Sequence, residues 1–127
     1  MLQKRLDEDT LLTFRHALIQ AVTPYFADLM MDQFGNYLSQ KILEVSDAQE
    51  IKGIIGTILP TITEISTNIH GTRAIQFLVQ VLFKLLPQLE DDLMTIIQEL
   101  NFNIRQLSLD VHGNHVIQSF LCIFKAS

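Results

Sequence analysis

Three segments of the chain align without a gap: Leu29-Met-Met-Asp-Gln-Phe-Gly-Asn-Tyr-Leu-Ser-Gln40, Ile65-Ser-Thr-Asn-Ile-His-Gly-Thr-Arg-Ala-Ile-Gln76 and Leu107-Ser-Leu-Asp-Val-His-Gly-Asn-His-Val-Ile-Gln118. Each segment has an apolar residue first, Asp or Asn fourth, Gly seventh and Gln last. The glycines are 36 and then 42 residues apart. A repeat of this length is typical of helical solenoids, in which units bury their apolar faces against their neighbours. The repeat therefore predicts an all-α fold built from stacked units.

The residues between the aligned segments also have helical patterns. Asp47 to Leu59 has apolar residues three and four positions apart, with Asp47 as a candidate cap, and similar patterns occupy 9–22 and 89–100. We expect a short helix before each glycine and a longer helix after it, which makes three helices per repeat. No stretch alternates with a period of two, so no strand is predicted.

The composition excludes several classes of protein. The chain has 127 residues, of which 48% are hydrophobic, so one folded domain is expected rather than disorder. No apolar run approaches the roughly 20 residues that cross a bilayer, and Met1 to Thr10 is too polar for a signal peptide. The single cysteine, Cys122, excludes an internal disulfide. These features predict a cytoplasmic protein that does not associate with membranes.

The sequence contains no arrangement of residues typical of catalysis. It has no nucleophile beside an orienting base, no phosphate-binding Gly-rich loop, and no pair of His or Cys residues at metal-ligand spacing. We therefore predict a binding protein rather than an enzyme, with no cofactor and no metal site.

The positions after each glycine are the candidate binding site. The first and fifth of these positions are one helical turn apart and face the same way, whereas the second is rotated by about 100° to the side. The predicted base-edge residues are Asn36, Gln40, Thr72, Gln76, Asn114 and Gln118, and the predicted stacking residues are Tyr37, Arg73 and His115. Amide side chains match the hydrogen-bonding edge of a nucleobase, and flat side chains stack on its face.

A structural explanation of the same residues is that Asn36, Thr72 and Asn114 cap the helices that follow the glycines. That explanation leaves the recurrence of Gln and of the flat residue without a cause. Each glycine itself is expected at a turn that requires either a positive φ or a close approach of two backbone segments.

On these motifs the chain resembles the Pumilio (PUF) family of RNA-binding repeat proteins. The segments that carry the resemblance are Gly35-Asn-Tyr-Leu-Ser-Gln40, Gly71-Thr-Arg-Ala-Ile-Gln76 and Gly113-Asn-His-Val-Ile-Gln118. The resemblance covers residues 24–125 and implies a right-handed α–α superhelix of the Pumilio/armadillo-like type. The family usually has eight repeats, so about three repeats indicate a piece of a longer array. The predicted division begins with an N-terminal helix at 1–23, which is either a cap or the end of a preceding repeat. Repeats follow at 24–59 and 60–101, the latter with an insertion near 85–92, and a partial repeat at 102–127.

The resemblance implies sequence-specific binding of single-stranded RNA in messenger 3′ untranslated regions, in post-transcriptional regulation. In this family Asn with Gln reads uracil, Cys or Ser with Gln reads adenine, and the repeats run antiparallel to the RNA. Residues 114 and 118 would then read U, 72 and 76 would read A, and 36 and 40 would read U, giving a core of 5′-UAU-3′. Thr72 departs from the usual Cys or Ser. Lys41 follows Gln40 directly and is a candidate phosphate contact, the alternative being a solvated lysine.

The charge of the chain favours an alternative function. A formal net charge of −5 and a pI near 5.2 are unusual for a protein that neutralises phosphates. The alternative is a protein-interaction scaffold whose RNA binding is weak or vestigial, and regulatory proteins would bind its outer face. The apolar residues near the C-terminus, which have no polar cap, also predict self-association through that end: Phe120, Leu121, Ile123 and Phe124.

Overall fold

The computed structural model describes residues 7–126, with the surroundings of side chains described for residues 7–123. The described residues are helical with no strand, which confirms the predicted all-α class. The helices are α1 (Glu8–Val22), α2 (Phe26–Met31), α3 (Gly35–Val45), α4 (Ala48–Ile58), α5 (Ile62–Ser66), α6 (Gly71–Lys84), α7 (Glu90–Phe102), α8 (Ile104–Leu109) and α9 (Gly113–Ala126).

The helices form three units of the same design, α1–α3, α4–α6 and α7–α9. Each unit has a long outer helix, a short helix and a long inner helix that begins at the repeated glycine. The inner helix α6 packs against both α3 and α9, and the short helices α2 and α5 pack against the inner helix of the next unit. The inner helices therefore lie side by side in chain order, as a solenoid requires.

The outer helix α4 illustrates how the sequence forms each unit. Asp47 and Glu50 form a reciprocal capping box, in which each side chain accepts a hydrogen bond from the backbone N–H of the other residue. The cap predicted at Asp47 is thus confirmed. The four isoleucines of α4 are all buried, and the helix gives way to a 3-10 turn at Leu59–Thr61, where Pro60 lacks the N–H needed to continue it.

The longer second interval has a simple structural origin. Gly35 and the start of α4 at Ala48 are 13 residues apart, whereas Gly71 and the start of α7 at Glu90 are 19 apart. Both following intervals, to Gly71 and to Gly113, are 23 residues. The six extra residues therefore lie in the last turn of α6 and in the connection at 85–89, and α6 still packs against α9.

The apolar C-terminal end is exposed, as the sequence predicts. Leu121 is 61% exposed and Phe120 is half-buried. The side chain of Phe124 lies outside the described residues, as do residues 1–6 of the predicted N-terminal helix. In the described part of the chain, no helix is both long enough and apolar enough to span a membrane.

Candidate nucleic-acid interface

The turn before each inner helix is closed by the Asp or Asn three residues before the glycine. The Asp32 Oδ2 atom accepts hydrogen bonds from the backbone N–H groups of Phe34 at 2.9 Å and Gly35 at 2.7 Å. Asn68 makes the same two bonds at 2.8 and 2.9 Å, and Asp110 makes them at 2.8 and 2.7 Å. These bonds satisfy N–H groups that the first helical turn leaves without a partner.

The glycines are required by a close approach and not by a positive φ, since no described glycine has one. A Cβ atom on Gly35 would lie 2.7 Å from the carbonyl oxygen of Leu29, and on Gly113 it would lie 3.0 Å from that of Leu107. On Gly71 it would overlap the carbonyl oxygen of Ile65. The absence of a side chain therefore lets the inner helix begin directly against the short helix.

The inner helices begin at the glycines themselves, so the N-cap hypothesis for the residues after them is wrong. The N-cap positions are Phe34 and His70 in the first two units, and neither side chain caps its helix. Asn36 instead donates backwards from Nδ2, to the carbonyl oxygens of Asp32 at 2.8 Å and Gln33 at 3.0 Å. Its amide therefore has a structural role, but that role is to bind the end of the preceding turn.

The first and fifth positions after each glycine contact each other in all three units. Gln40 Nε2 lies 3.4 Å from Asn36 Oδ1, and Gln76 Nε2 lies 3.3 Å from Thr72 Oγ1. Gln118 makes the same contact with Asn114. The structure therefore brings together each pair of predicted base-edge residues on one face of its helix.

The two members of each pair differ in exposure. Asn36 is 1% exposed and Thr72 is 4% exposed, whereas their glutamine partners are half-buried. Thr72 Oγ1 also donates to the backbone carbonyl of His112 in the next unit, at 2.8 Å. Asn114, which no described unit follows, is more open. The glutamines therefore present the more accessible polar groups of this face.

The predicted stacking residues project from the inner helices. Tyr37 is 63% exposed, and Arg73 and His115 are also exposed. A hollow of about 400 Å³ lies between α6 and α9. Three predicted site residues line it: Gln76, His115 and Gln118. The other lining residues are Gln80, Ser119, Cys122 and Ile123. The structure thus places flat and polar side chains of neighbouring units around one open space.

Charged groups beside this face carry both signs. Lys41, the predicted phosphate contact, is exposed on α3, and its Nζ atom lies 3.5 Å from Glu44 Oε2 in an exposed ion pair. The turn bonds from Gly35 and Phe34 lower the pKa of Asp32 below its ordinary value of 3.8. Bonds from Gly113 and His112 likewise lower the pKa of Asp110. These carboxylates are therefore ionised at neutral pH, and they reduce the attraction of the turns for phosphate.

Sequence reasoning missed two groups of residues at this site. The recurrence of Asp or Asn at positions 32, 68 and 110 was visible, and it is the signal from which the turn bonds could have been inferred. The bond from Thr72 to His112 spans 40 residues and has no signal in the sequence. The same holds for Gln80, Ser119 and Cys122, because their place in the hollow depends on the stacking of two units.

Comparison with known proteins shows what the repeats of this chain are similar to. The Pumilio-family RNA binding repeat matches residues 25–59, 62–82 and 103–122. A Pumilio domain-containing protein of Schizosaccharomyces pombe is 38% identical over 105 residues, which are 83% of this chain and 15% of that protein.

Solved structures agree with the sequence comparisons. The Puf4 RNA binding domain, bound to a 3′ UTR recognition sequence of HO endonuclease RNA, is 36% identical with a TM-score of 0.77, over 93% of this chain and 35% of that one. The RNA-binding domain of yeast Puf5p bound to AAT2 RNA is 34% identical, also with a TM-score of 0.77, over 99% of this chain and 35% of that one. The chain thus spans about a third of these domains.

Proposed function

Because the chain belongs to the Pumilio family of RNA-binding repeat proteins, we propose that it binds single-stranded RNA through its inner helices, one base per unit. The observation that carries this proposal is the repeated contact between the first and fifth residues after each glycine, beside an exposed flat side chain. The predicted repeat boundaries at 24–59, 60–101 and 102–127 belong to the same proposal.

The proposed reading of uracil follows from the hydrogen-bonding groups of Asn36 and Gln40 that are not already used within the chain. Both N–H groups of Asn36 are used on backbone carbonyls, so its side chain offers an acceptor only. Gln40 retains an N–H donor and its carbonyl. Uracil presents an N3–H donor between two carbonyl acceptors, so Asn36 accepts from N3–H while Gln40 donates to a carbonyl. Cytosine presents an acceptor at N3, which Asn36 repels.

The proposed reading of adenine in the middle unit depends on Gln76. The hydroxyl proton of Thr72 is used on the carbonyl of His112, so it is not available to a base. Gln76 alone can accept from the N6 amino group of adenine and donate to N1. With uracil read by the first and third units, the proposed core is 5′-UAU-3′. The residues that stack on the bases are Tyr37, Arg73 and His115. Lys41 breaks its ion pair with Glu44 and contacts a phosphate.

The proposed biological role is binding to messenger 3′ untranslated regions in post-transcriptional regulation in the cytoplasm, with regulatory proteins on the outer helices. Stacking contributes roughly 1–3 kcal/mol per base, against an association cost of roughly 4–15 kcal/mol. Three bases therefore give an affinity of about micromolar or weaker. The net charge of −5 supports the second candidate, a protein-interaction scaffold with vestigial RNA binding.

Fluorescence anisotropy with short RNAs that contain UAU, GGG or scrambled cores separates these functions. The wild-type chain should prefer UAU, and Gln76→Ala should weaken binding to it about tenfold, since one bidentate base contact is worth ~1–3 kcal/mol. Gln98→Ala, on the exposed surface of outer helix α7, is the matched control and should bind normally. Equal affinity of the wild type for all three RNAs would contradict the base-reading proposal and favour the protein-interaction scaffold.

A further inference from the structure

Polar side chains at equivalent positions join the outer helices of consecutive units. His16 Nδ1 on α1 lies 2.5 Å from Glu50 Oε2 on α4, and Lys52 Nζ on α4 lies 3.2 Å from Asp92 Oδ2 on α7. His16 and Lys52 are separated by the 36-residue repeat, and Glu50 and Asp92 by the 42-residue repeat. Each junction thus pairs a basic residue of one unit with an acid of the next.

The first of these pairs belongs to a cluster in which His16, Asp47 and Glu50 have ligand atoms within 4.8 Å of one another. Arg15 Nη1 donates to Glu50 Oε1 at 2.9 Å, and Arg15 Nη2 lies 3.8 Å from Asp47 Oδ2. The guanidinium supplies the positive charge that the two carboxylates need. The cluster is therefore explained as a junction between units.

At the two ends of the stack, the equivalent positions are apolar. The place of His16 and Lys52 is taken in the third unit by Met94, which is 49% exposed. The place of Glu50 and Asp92 is taken in the first unit by Phe14, which is 67% exposed. The basic residue is thus replaced on one end face, and the acid is replaced on the other.

The rest of the C-terminal end face is also open and apolar. Ile104 is 40% exposed and Leu121 is 61% exposed, whereas their equivalents in the middle unit, Ile62 and Val79, are buried. The helices that carry these two equivalents, α5 and α6, pack against α7 and α9 of the third unit. An apolar groove of about 200 Å³ lies on this face, between α7, α8 and α9. Within the described residues, the positions that bury the internal junctions are thus uncovered on this face, and they have the shape that packs against another unit.

We propose that the two end faces bind each other between copies of this chain, head to tail, with Met94 of one copy against Phe14 of the next. The replacements at the two ends match: a partner with an acid at the position of Glu50 would meet Met94 and have no counter-charge, whereas Phe14 gives an apolar contact of the kind thioether sulfur makes with aromatic rings. Such a contact is heterologous, so copies add to one another head to tail and form open chains or closed rings. This proposal does not rest on RNA binding.

Sedimentation velocity over a concentration series tests the contact. The weight-average mass of the wild-type chain should rise with concentration, and Phe14→Glu or Met94→Lys should each weaken association at least about tenfold, because each places an unpaired charge in an apolar contact. Mixing the two variants should restore association, since the introduced lysine of one and the introduced glutamate of the other recreate the internal ion pair. The double variant in one chain should associate as well.

The matched control is Val111→Glu, at an exposed position whose equivalents, Gln33 and Ile69, stay exposed although units follow them. This variant should associate like the wild type. Helical circular dichroism checks that every variant is folded. A wild-type chain that stays monomeric at all concentrations overturns the proposal, and so does a mixture of the two charge variants that associates no better than either alone.

Discussion

All three units have the same kind of backbone turn before the inner helix, but the middle unit differs from the first and third in the side chains beside that turn. In each unit the residue three positions before the glycine accepts the same two backbone hydrogen bonds, yet this residue is Asn68 in the middle and Asp in the other two. The two positions after the glycine are Thr72 and Arg73 in the middle, against Asn followed by Tyr or His.

This difference separates what the turn requires from what it permits. The turn requires a side-chain oxygen as acceptor, either from a neutral amide or from a carboxylate, and a residue without a Cβ atom. The positions after the glycine can change without altering the helix. Binding preference can therefore vary from unit to unit on a constant backbone, and each prediction below exchanges one feature of the middle unit with its counterparts.

The largest expected effect is on stability, from Gly71→Ala. The new Cβ would overlap the carbonyl oxygen of Ile65 and lie 2.8 Å from its Cγ2 atom, whereas at Gly113 the nearest atoms lie at 3.0 Å. Overpacking of this kind costs about 1–3 kcal/mol, so urea unfolding should show a larger loss for Gly71→Ala than for Gly113→Ala.

The control for that comparison is Gly53→Ala on α4, where a Cβ meets nothing within 4 Å. This variant should gain about 0.5–1 kcal/mol, the ordinary difference between Ala and Gly inside a helix. A Gly71→Ala protein as stable as the wild type would show that close approach does not explain the turn glycines.

The second prediction concerns base preference. Thr72→Asn gives the middle unit the same edge pair as its neighbours, and it should move the preferred RNA from UAU to UUU by about tenfold, within the ~1–3 kcal/mol of one base contact. Anisotropy with both RNAs measures the change, with Thr95→Asn on the exposed surface of α7 as the control. An unchanged order of affinities would show that position 72 does not select the base.

The sequence was sufficient for the features that each unit determines by itself. The apolar spacing placed α4, and Asp47 marked its start, because both depend on residues within one helical turn of each other. The same holds for the pairing of Gln76 with position 72. These are local consequences of the helical period.

What the sequence did not reveal depends on the neighbouring unit. Asn36 and Thr72, in the units that another unit follows, are buried, whereas Asn114 is more open, and the bond from Thr72 to His112 joins residues 40 positions apart. The choice between a positive φ and a close approach at the glycines was equally open, since either requires Gly. Only the position of the short helix against the inner helix decides it.

The third prediction concerns salt. Arg73 carries the guanidinium among the three predicted stacking residues. Each phosphate that a protein neutralises on a single strand adds a slope of about −0.7 in log K against log salt. Arg73→Tyr should therefore make RNA binding less sensitive to salt, by about two- to threefold over a roughly fourfold rise in salt concentration. Arg105→Gln, on α8, is the control, and an unchanged slope for Arg73→Tyr would place Arg73 away from the phosphates.

The smallest expected effect is on the acid stability of the turns. Turn hydrogen bonds lower the pKa values of Asp32 and Asp110 below 3.8 in the folded chain. The unfolded chain therefore binds more protons just below that value. The contribution of each carboxylate to folding stability is thus complete above pH 3.8 and is lost as the pH falls through the lowered pKa.

Asp32→Asn should flatten the dependence of unfolding free energy on pH below about 4, and Asn68→Asp should steepen it. Both effects are small because the carboxylates are solvent-screened. Chemical unfolding across this pH range measures them, and identical pH profiles for the wild type and both variants would show that the charge of the acceptor has no influence on the turn.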